Sequence, residues 1–329
     1  MQSFAYERAA TLAQAIGAAA EPGTAVIAGG TELLNWMKDG ITAPRRLVDL
    51  NGVSGLDGVA IDDRGLRIGA LARMSDVAEH PAIRRDWPAV SQALLQSASA
   101  QIRTMASIGG NLMQRTRCPY FRAEVDLPCN RRRPGSGCAA LAGEDRSAAI
   151  FGWTEQCVAT HPSDVAVALA ALDAVVHVDG PDGPRAIPVT EFHRLPDHGS
   201  VRETVLEPGE LITAIEAPAF AAARRSHYLK LRERASYEFA LVSAAVGLDL
   251  DGAVIREARI ALGGVAAKPW RLREAEEALR GVTLGDEPAL RRAVDIGFAE
   301  ARPLRRNGFK VELAKRAAVR ALQIVGGVA

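Results

Sequence analysis

The 329-residue chain lacks several features that would assign its class at once. Its net charge is only +1, so there is no global electrostatic case for nucleic acid or an anionic membrane as partner. No stretch approaches the apolar length of a membrane span. The N-terminus, MQSFAYERAATLAQAIGAAA, places Glu7 and Arg8 early and shows no basic-then-apolar signal with a cleavage site. No export signal of its own is expected. The chain is expected in the cytoplasm or, co-exported with a partner that carries a signal, in the periplasm. No G-x-G-x-x-G is present, so a Rossmann-type nicotinamide site is unsupported. No Ser-His-Asp or paired-carboxylate constellation stands out. His161 and His177 lack metal-ligand spacing, and His193 and His198 fall in a turn-rich stretch expected to be exposed.

Cysteine is absent except from one 40-residue window that holds Cys118, Cys129, Cys138 and Cys157. The gaps between them are 10, 8 and 18 residues, with no C-x-x-C, so no standard zinc-ribbon spacing fits. Four thiolates suit an iron–sulfur cluster or a structural zinc. Two disulfides or four buried free thiols would use the same residues. The segment between them is rich in Gly, Pro and charge, and is not expected to fold around a core of its own. A bound metal would supply the missing organising energy. The run Arg131-Arg132-Arg133 reads as a solvated face, or else as charge compensation for thiolates or a docking patch.

The remaining composition, 48% hydrophobic and 24% charged, is that of a globular protein of two or three domains. Residues 4–50 read strand, helix, strand, Gly-rich turn, helix. LRIGALARMSDVAEHPAI reads as a strand and a helix capped by Ser75 or Asp76. Ala89–Ala106 reads as a longer helix, broken at Ser107-Ile108-Gly109-Gly110-Asn111. After the cysteine segment, PSDVAVALAALDAVVHVDG reads as a helix and then a strand. Gly180–Gly183 is a turn, and ELITAIEAP is a strand. From Tyr228 onward come strand-like runs, helices over 271–281 and 287–301, and a closing helix over 310–325. Strands followed by helices suggest a separate α+β domain.

Two glycine-rich turns are the candidate ligand loops. The first is Ala28-Gly29-Gly30-Thr31-Glu32, and the second runs from Ser107 to Asn111. Glycine lets backbone approach a ligand without a Cβ in the way. Consecutive turn N–H groups make a concave nest for phosphate oxygens. Two such loops suit the two phosphates of a dinucleotide.

Five motifs in order, AGGTELL, ASIGGNL, PSDVAVALAALDA, YLKLRERASYEFALVSAAV and GGVAAKPWR, resemble the flavin subunit of the molybdenum hydroxylases. That family includes xanthine dehydrogenase, carbon monoxide dehydrogenase and aldehyde oxidoreductases. The resemblance spans nearly the whole chain. It implies an α+β fold: a two-lobed FAD-binding domain of the vanillyl-alcohol-oxidase/PCMH type over residues 1–219, and a C-terminal α+β domain of the CO dehydrogenase flavoprotein type over 220–329. The insertion 112–162 is similar to that of the flavin subunit of bacterial periplasmic aldehyde oxidoreductase. That similarity implies a [4Fe–4S] cluster on Cys118, Cys129, Cys138 and Cys157.

The same resemblance implies flavin contacts. Ala28, Gly29, Gly30, Thr31 and Glu32 match the first pyrophosphate turn; Ser107, Ile108, Gly109, Gly110 and Asn111 match the second. Ser163 and Asp164 match a pair near the ribityl region, and a plain helix cap is compatible with that role. Lys230 matches a lysine near the flavin ring, where a cation would favour the reduced flavin; read alone it is a solvated strand lysine. No catalytic side chain is implied, because the cofactor does the chemistry. The implied function is electron transfer within a heteromeric molybdenum-containing aldehyde oxidoreductase. Its partners would be a large subunit with the molybdenum cofactor and a small [2Fe–2S] subunit. The open alternatives are the flavin subunit of a 4-hydroxybenzoyl-CoA reductase-type enzyme, and a non-enzymatic protein stapled by zinc or disulfides.

Overall fold

The computed structural model describes residues 2–197 and 202–327; His198 lies outside them. Twelve strands are described: β1 Ala5–Arg8, β2 Thr24–Ile27, β3 Arg46–Asp49, β4 Val59–Asp62, β5 Gly65–Gly69, β6 Val175–Asp179, β7 Arg185–Pro188, β8 Leu211–Pro218, β9 Ser226–Leu231, β10 Val242–Asp251, β11 Val254–Gly263 and β12 Trp270–Arg271. They form three sheets. The first is parallel, in the order β1-β3-β2. Its crossover from β1 to β2 is the Ala-rich helix Leu12–Ala19, capped by Thr11. The second, β4-β5-β8-β6-β7, is antiparallel throughout. The third, β12-β11-β10-β9, is also antiparallel and carries the C-terminal helices Arg273–Ala278, Glu287–Ile296 and Phe309–Gly326 on its core.

The first two sheets are the two lobes expected of the N-terminal domain, and a cleft opens between them. The helix Asp164–Ala171 lies at the centre of the molecule. All eight of its residues are buried, as its unbroken run of Ala, Val and Leu requires. It packs on the helix Pro88–Leu95 on one side and on β10 and β11 on the other. Arg271 locks this joint: its guanidinium donates to the Ala170 carbonyl and Asp173 at 2.6 Å each, and to Glu276 at 2.7 Å.

Two local expectations differ from the structure. The helix Met74–Glu79 starts from Arg73 without a side-chain cap; Ser75 and Asp76 already lie in its first turn. The stretch 89–106 is two helices, Pro88–Leu95 and Ala100–Arg103. The chain turns between them at Ala98, whose φ of 48° is left-handed and incompatible with a continuous helix.

The insertion between Leu112 and Pro162 has little regular structure, one short helix at Pro119–Arg122 and one 3-10 turn at Ala139–Leu141. Its own hydrophobic cluster is small, built on Ala140, Ala148 and Val158, while its Ile150 and Phe151 belong to the core of the C-terminal domain. It relies instead on docking to the C-terminal domain. Ile150 and His161 donate backbone bonds to the Val265 and Ala266 carbonyls at 2.8 and 2.9 Å. Phe151 stacks on Trp270 with ring centroids 4.9 Å apart. The fully buried Lys310 donates to the carbonyls of Ser147, Ala148 and Gly264.

Candidate functional site

The cleft between the lobes encloses about 750 Å³ and is lined by both glycine loops. The first loop leaves β2 directly and enters the helix Leu33–Lys38. Gly30 has φ +72°, a left-handed turn that favours glycine. Gly29 packs on the other loop's approach: a Cβ there would sit 2.0 Å from the Met105 carbonyl oxygen. The two loops therefore touch through backbone, which only a glycine permits. Arg73 braces this contact, donating to the Met105 carbonyl and, at 2.9 Å, to Asn51, whose amide donates to the Ala28 carbonyl at 3.0 Å.

The second loop is the start of a short helix, Ile108–Leu112, rather than the end of a preceding one. Ser107 caps it and accepts the Gly110 N–H at 3.2 Å. Gly109 donates to the Ala70 carbonyl at 2.8 Å, which seats the loop on the end of β5.

Ala28, Gly29, Gly30, Thr31, Glu32, Ser107, Gly109, Gly110, Asn111 and Asp164 all line the cleft. Ile108, Ser163 and Lys230 are not among its lining residues. Ile108 is fully buried in the core. Ser163 caps the central helix and donates to Asn111 Oδ1 at 2.5 Å.

Lys230 stands behind Asp164. Far from being solvated, its ammonium donates to Asp164 Oδ2 at 2.8 Å and to the Gln96 carbonyl at 3.0 Å. Ser97 and Tyr228 also donate to the Asp164 carboxylate. Burial and that carboxylate push the Tyr228 hydroxyl well above its ordinary range, so it stays a neutral donor. Sequence reasoning missed Ser97 and Tyr228, which lie 67 and 64 residues from Asp164.

The four cysteines are free thiols, and all four line one small cavity. Cys129 and Cys138 pair across an isolated antiparallel bridge. Asn130 ties that bridge together, accepting the Gly137 N–H at 2.9 Å and donating to the Gln156 carbonyl at 2.9 Å beside Cys157. Burial pushes Cys118 up to about 11 and raises Cys138, so metal binding here must displace protons. Among the described residues, no three or more Cys, His, Asp or Glu side chains are grouped so as to hold a single metal ion.

Three expectations about charged residues change. Arg131 is not solvated: its Nε donates to Cys157 Sγ at 3.1 Å, and its guanidinium also pairs with Glu203. Arg132 donates to the Ala123 carbonyl, and only Arg133 is exposed, beside Asp126. His193 is buried, packed against His161 with centroids 4.0 Å apart and the rings tilted by 42°, and its Nε2 meets the Leu112 carbonyl at 2.9 Å. Burial lowers His193 to about 4 and His161 well below its ordinary value, so both are neutral at pH 7. His177 pairs with Glu216 at 3.1 Å on the surface of the second sheet.

A two-lobed domain with a deep, loop-lined cleft is thus followed by a separate antiparallel sheet with helices packed on it. Residues 2–220 match the family described as FAD binding domain in molybdopterin dehydrogenase. Residues 227–325 match the CO dehydrogenase flavoprotein C-terminal domain. The chain is 48% identical over 319 residues to the aldehyde oxidoreductase FAD-binding subunit of Escherichia coli (strain K12), covering 96% of each. It is 28% identical to the carbon monoxide dehydrogenase medium chain of Afipia carboxidovorans, covering 92% of this chain and 88% of that one. Its fold superposes on a chain of reconstituted CO dehydrogenase from Oligotropha carboxidovorans with a TM-score of 0.78 at 25% identity, covering 100% and 99% of the two chains. The chain belongs to the family of FAD-binding subunits of the molybdenum hydroxylases and is an oxidoreductase subunit. Among the described residues no helix is long and apolar enough to cross a membrane.

Proposed function

We propose that this chain is the FAD- and [4Fe–4S]-binding electron-transfer subunit of a heteromeric molybdenum-containing aldehyde oxidoreductase. The observation that carries the reading is the cleft between the two glycine loops. Its volume suits a cofactor, and its walls are largely apolar with a few fixed polar groups. Bound FAD would supply the chemistry, taking electrons from one partner and passing them to an acceptor. Both glycine loops would hold the pyrophosphate. Asn111 and Asp164 would face the ribityl and ring region. Lys230 and Tyr228 would act through Asp164, holding its carboxylate in one orientation.

The cluster assignment is supported by four thiols around one cavity with an all-sulfur donor set. A single zinc ion would draw the same four sulfurs to about 2.3 Å. A cubane spreads its four thiolates over four irons. Arg131 would offset the cluster's negative charge through Cys157. Aldehyde as the substrate of the assembled enzyme rests on the Escherichia coli relative. A large molybdenum subunit and a small [2Fe–2S] subunit are the proposed partners, and co-export with a partner to the periplasm the proposed route if the complex leaves the cytoplasm.

The test is direct. Purified anaerobically, the chain should carry one FAD and about four irons. Co-expressed with candidate partner subunits, it should pass electrons from aldehyde to an added dye. Stoichiometric zinc without iron would remove the cluster assignment, and a colourless chain that takes up no added FAD would remove the flavin one.

A further inference from the structure

Nothing so far gives a role to the arginines on either side of Cys118, yet they reach into the flavin cleft. Glu32, the residue after the first glycine turn, collects them. Its carboxylate accepts from Arg117 Nη1 at 2.7 Å, Arg117 Nη2 at 3.0 Å and Arg122 Nη2 at 2.6 Å. It also accepts the Arg115 backbone N–H at 3.2 Å and Trp36 Nε1 at 3.0 Å. The three charged side chains are only 18–27% exposed, and all three line the cleft.

Cys118 is fixed to the same group of residues. Its N–H donates to Thr116 Oγ1 at 3.2 Å, and its carbonyl accepts the Arg122 N–H at 3.0 Å. Arg122 Nε in turn donates to the Thr116 carbonyl at 3.0 Å. A movement of Cys118 therefore moves Arg117 and Arg122, and both are bonded to the residue that follows Gly29-Gly30-Thr31. Two guanidiniums on one carboxylate leave a surplus positive charge where the cleft would hold a diphosphate.

We propose that Glu32, Arg117 and Arg122 link the loading of the two cofactor sites. Filling the thiol cavity fixes Cys118, which fixes both arginines against Glu32 and orders the first glycine turn. Each cofactor then finds part of its ordering already done, so each binds more tightly in the presence of the other. The proposal rests on the flavin and cluster readings above, and it assigns positioning roles to Arg117 and Arg122.

The experiment uses the full-length chain, prepared iron-loaded and, after chelation under reducing conditions, iron-stripped. FAD dissociation constants are measured by flavin fluorescence quenching. The iron-loaded form should bind FAD about tenfold more tightly. By reciprocity, saturating FAD should strengthen iron retention against a chelator by the same factor. In Glu32→Gln, which keeps the side-chain shape, the loaded and stripped forms should bind FAD equally. Should that variant fail to fold by circular dichroism, Arg122→Met breaks the same link from the other side and should give the same result. If the wild type takes up both cofactors with no mutual effect, or if both variants keep the difference, the linkage falls while the cofactor readings stand. A wild type that takes up no FAD, or no iron, overturns the corresponding reading and the linkage with it.

Discussion

The flavin cleft and the thiol cavity are neighbours built by opposite means. The cleft is made of secondary structure brought into backbone contact, with Gly29 against the Met105 carbonyl and Gly109 bonded to Ala70. Its charged wall, Asp164, is satisfied by three buried partners, Tyr228 and Lys230 on β9 and Ser97 just after the helix Pro88–Leu95. The thiol cavity is made of irregular chain held by side-chain-to-backbone bonds and by docking to the C-terminal domain. One buried lysine marks each region. Lys230 faces a carboxylate, whereas Lys310 faces only carbonyls. The cleft is thus preorganised by its own fold, and the thiol segment needs the C-terminal domain to hold shape.

The sharpest way to break that comparison is Lys230→Met. It strands the Asp164 carboxylate in the core, which should cost about 3–5 kcal/mol. Thermal unfolding of the whole chain should shift down cooperatively, because the pair joins the central helix to the third sheet. A loss below 1 kcal/mol would mean that Tyr228 and Ser97 suffice to hold Asp164.

Lys310→Met attacks the other region. The carbonyls of Ser147, Ala148 and Gly264 lose this donor, at a cost of about 2–3 kcal/mol. Hydrogen exchange should rise first over residues 145–150, while the cleft loops stay protected. The pH dependence has a definite sign. Burial lowers Lys310 to about 7 from an ordinary 10.5. Between those values the unfolded chain binds more protons, so wild-type stability rises with pH across the window. The methionine variant lacks this contribution, so the gap between the two should widen from pH 7 towards pH 10. A gap independent of pH would show that the three carbonyls keep the ammonium fully charged.

Gly29→Ala is smaller in stability but decisive for the cleft. Its methyl would meet fixed backbone at 2.0 Å, and pushing the loops apart should cost about 1–3 kcal/mol. Retained FAD should fall to near zero in the purified chain. In Gly110→Ala the added carbon meets only Ser107 Oγ at 2.9 Å, and most FAD should remain. Equal flavin loss in both would mean that the loops are not held by backbone contact.

These contrasts also mark how far the sequence could be read. The strand–glycine–helix unit around Gly29 was legible because each residue's preference agrees with its place. The hairpin β10–β11 and the closing helix were legible from their periodicity. The stretch 89–106 was misread as one helix because Ala98 interrupts an otherwise helical run with a conformation that alanine rarely adopts. Burial of His193, Arg131 and Lys230 was hidden because each depends on a partner remote in sequence; Asp164 lies 66 residues from Lys230. Glu32 and the arginines beside Cys118 are 85 and 90 residues apart, and no local pattern announces that they meet.

The smallest predicted effect concerns Ser107, which could be either a helix cap or a ligand contact. It is 2% exposed, and its hydroxyl accepts the Gly110 N–H, as a capping serine does. Three further bonds hold the loop without it. Ile108 donates to Ala72 at 3.0 Å, Gly109 to Ala70 at 2.8 Å, and Ser163 to Asn111 at 2.5 Å. Ser107→Ala should therefore cost about 1 kcal/mol of stability, the ordinary worth of a cap. FAD occupancy should stay near that of the wild type, because the backbone of the loop stays in place. Urea unfolding of the flavin-free chain, set beside the flavin content of the purified one, separates the two roles. Unchanged stability with lost flavin would make Ser107 a direct cofactor contact, and the second loop would then depend on a side chain where the first depends on bare backbone.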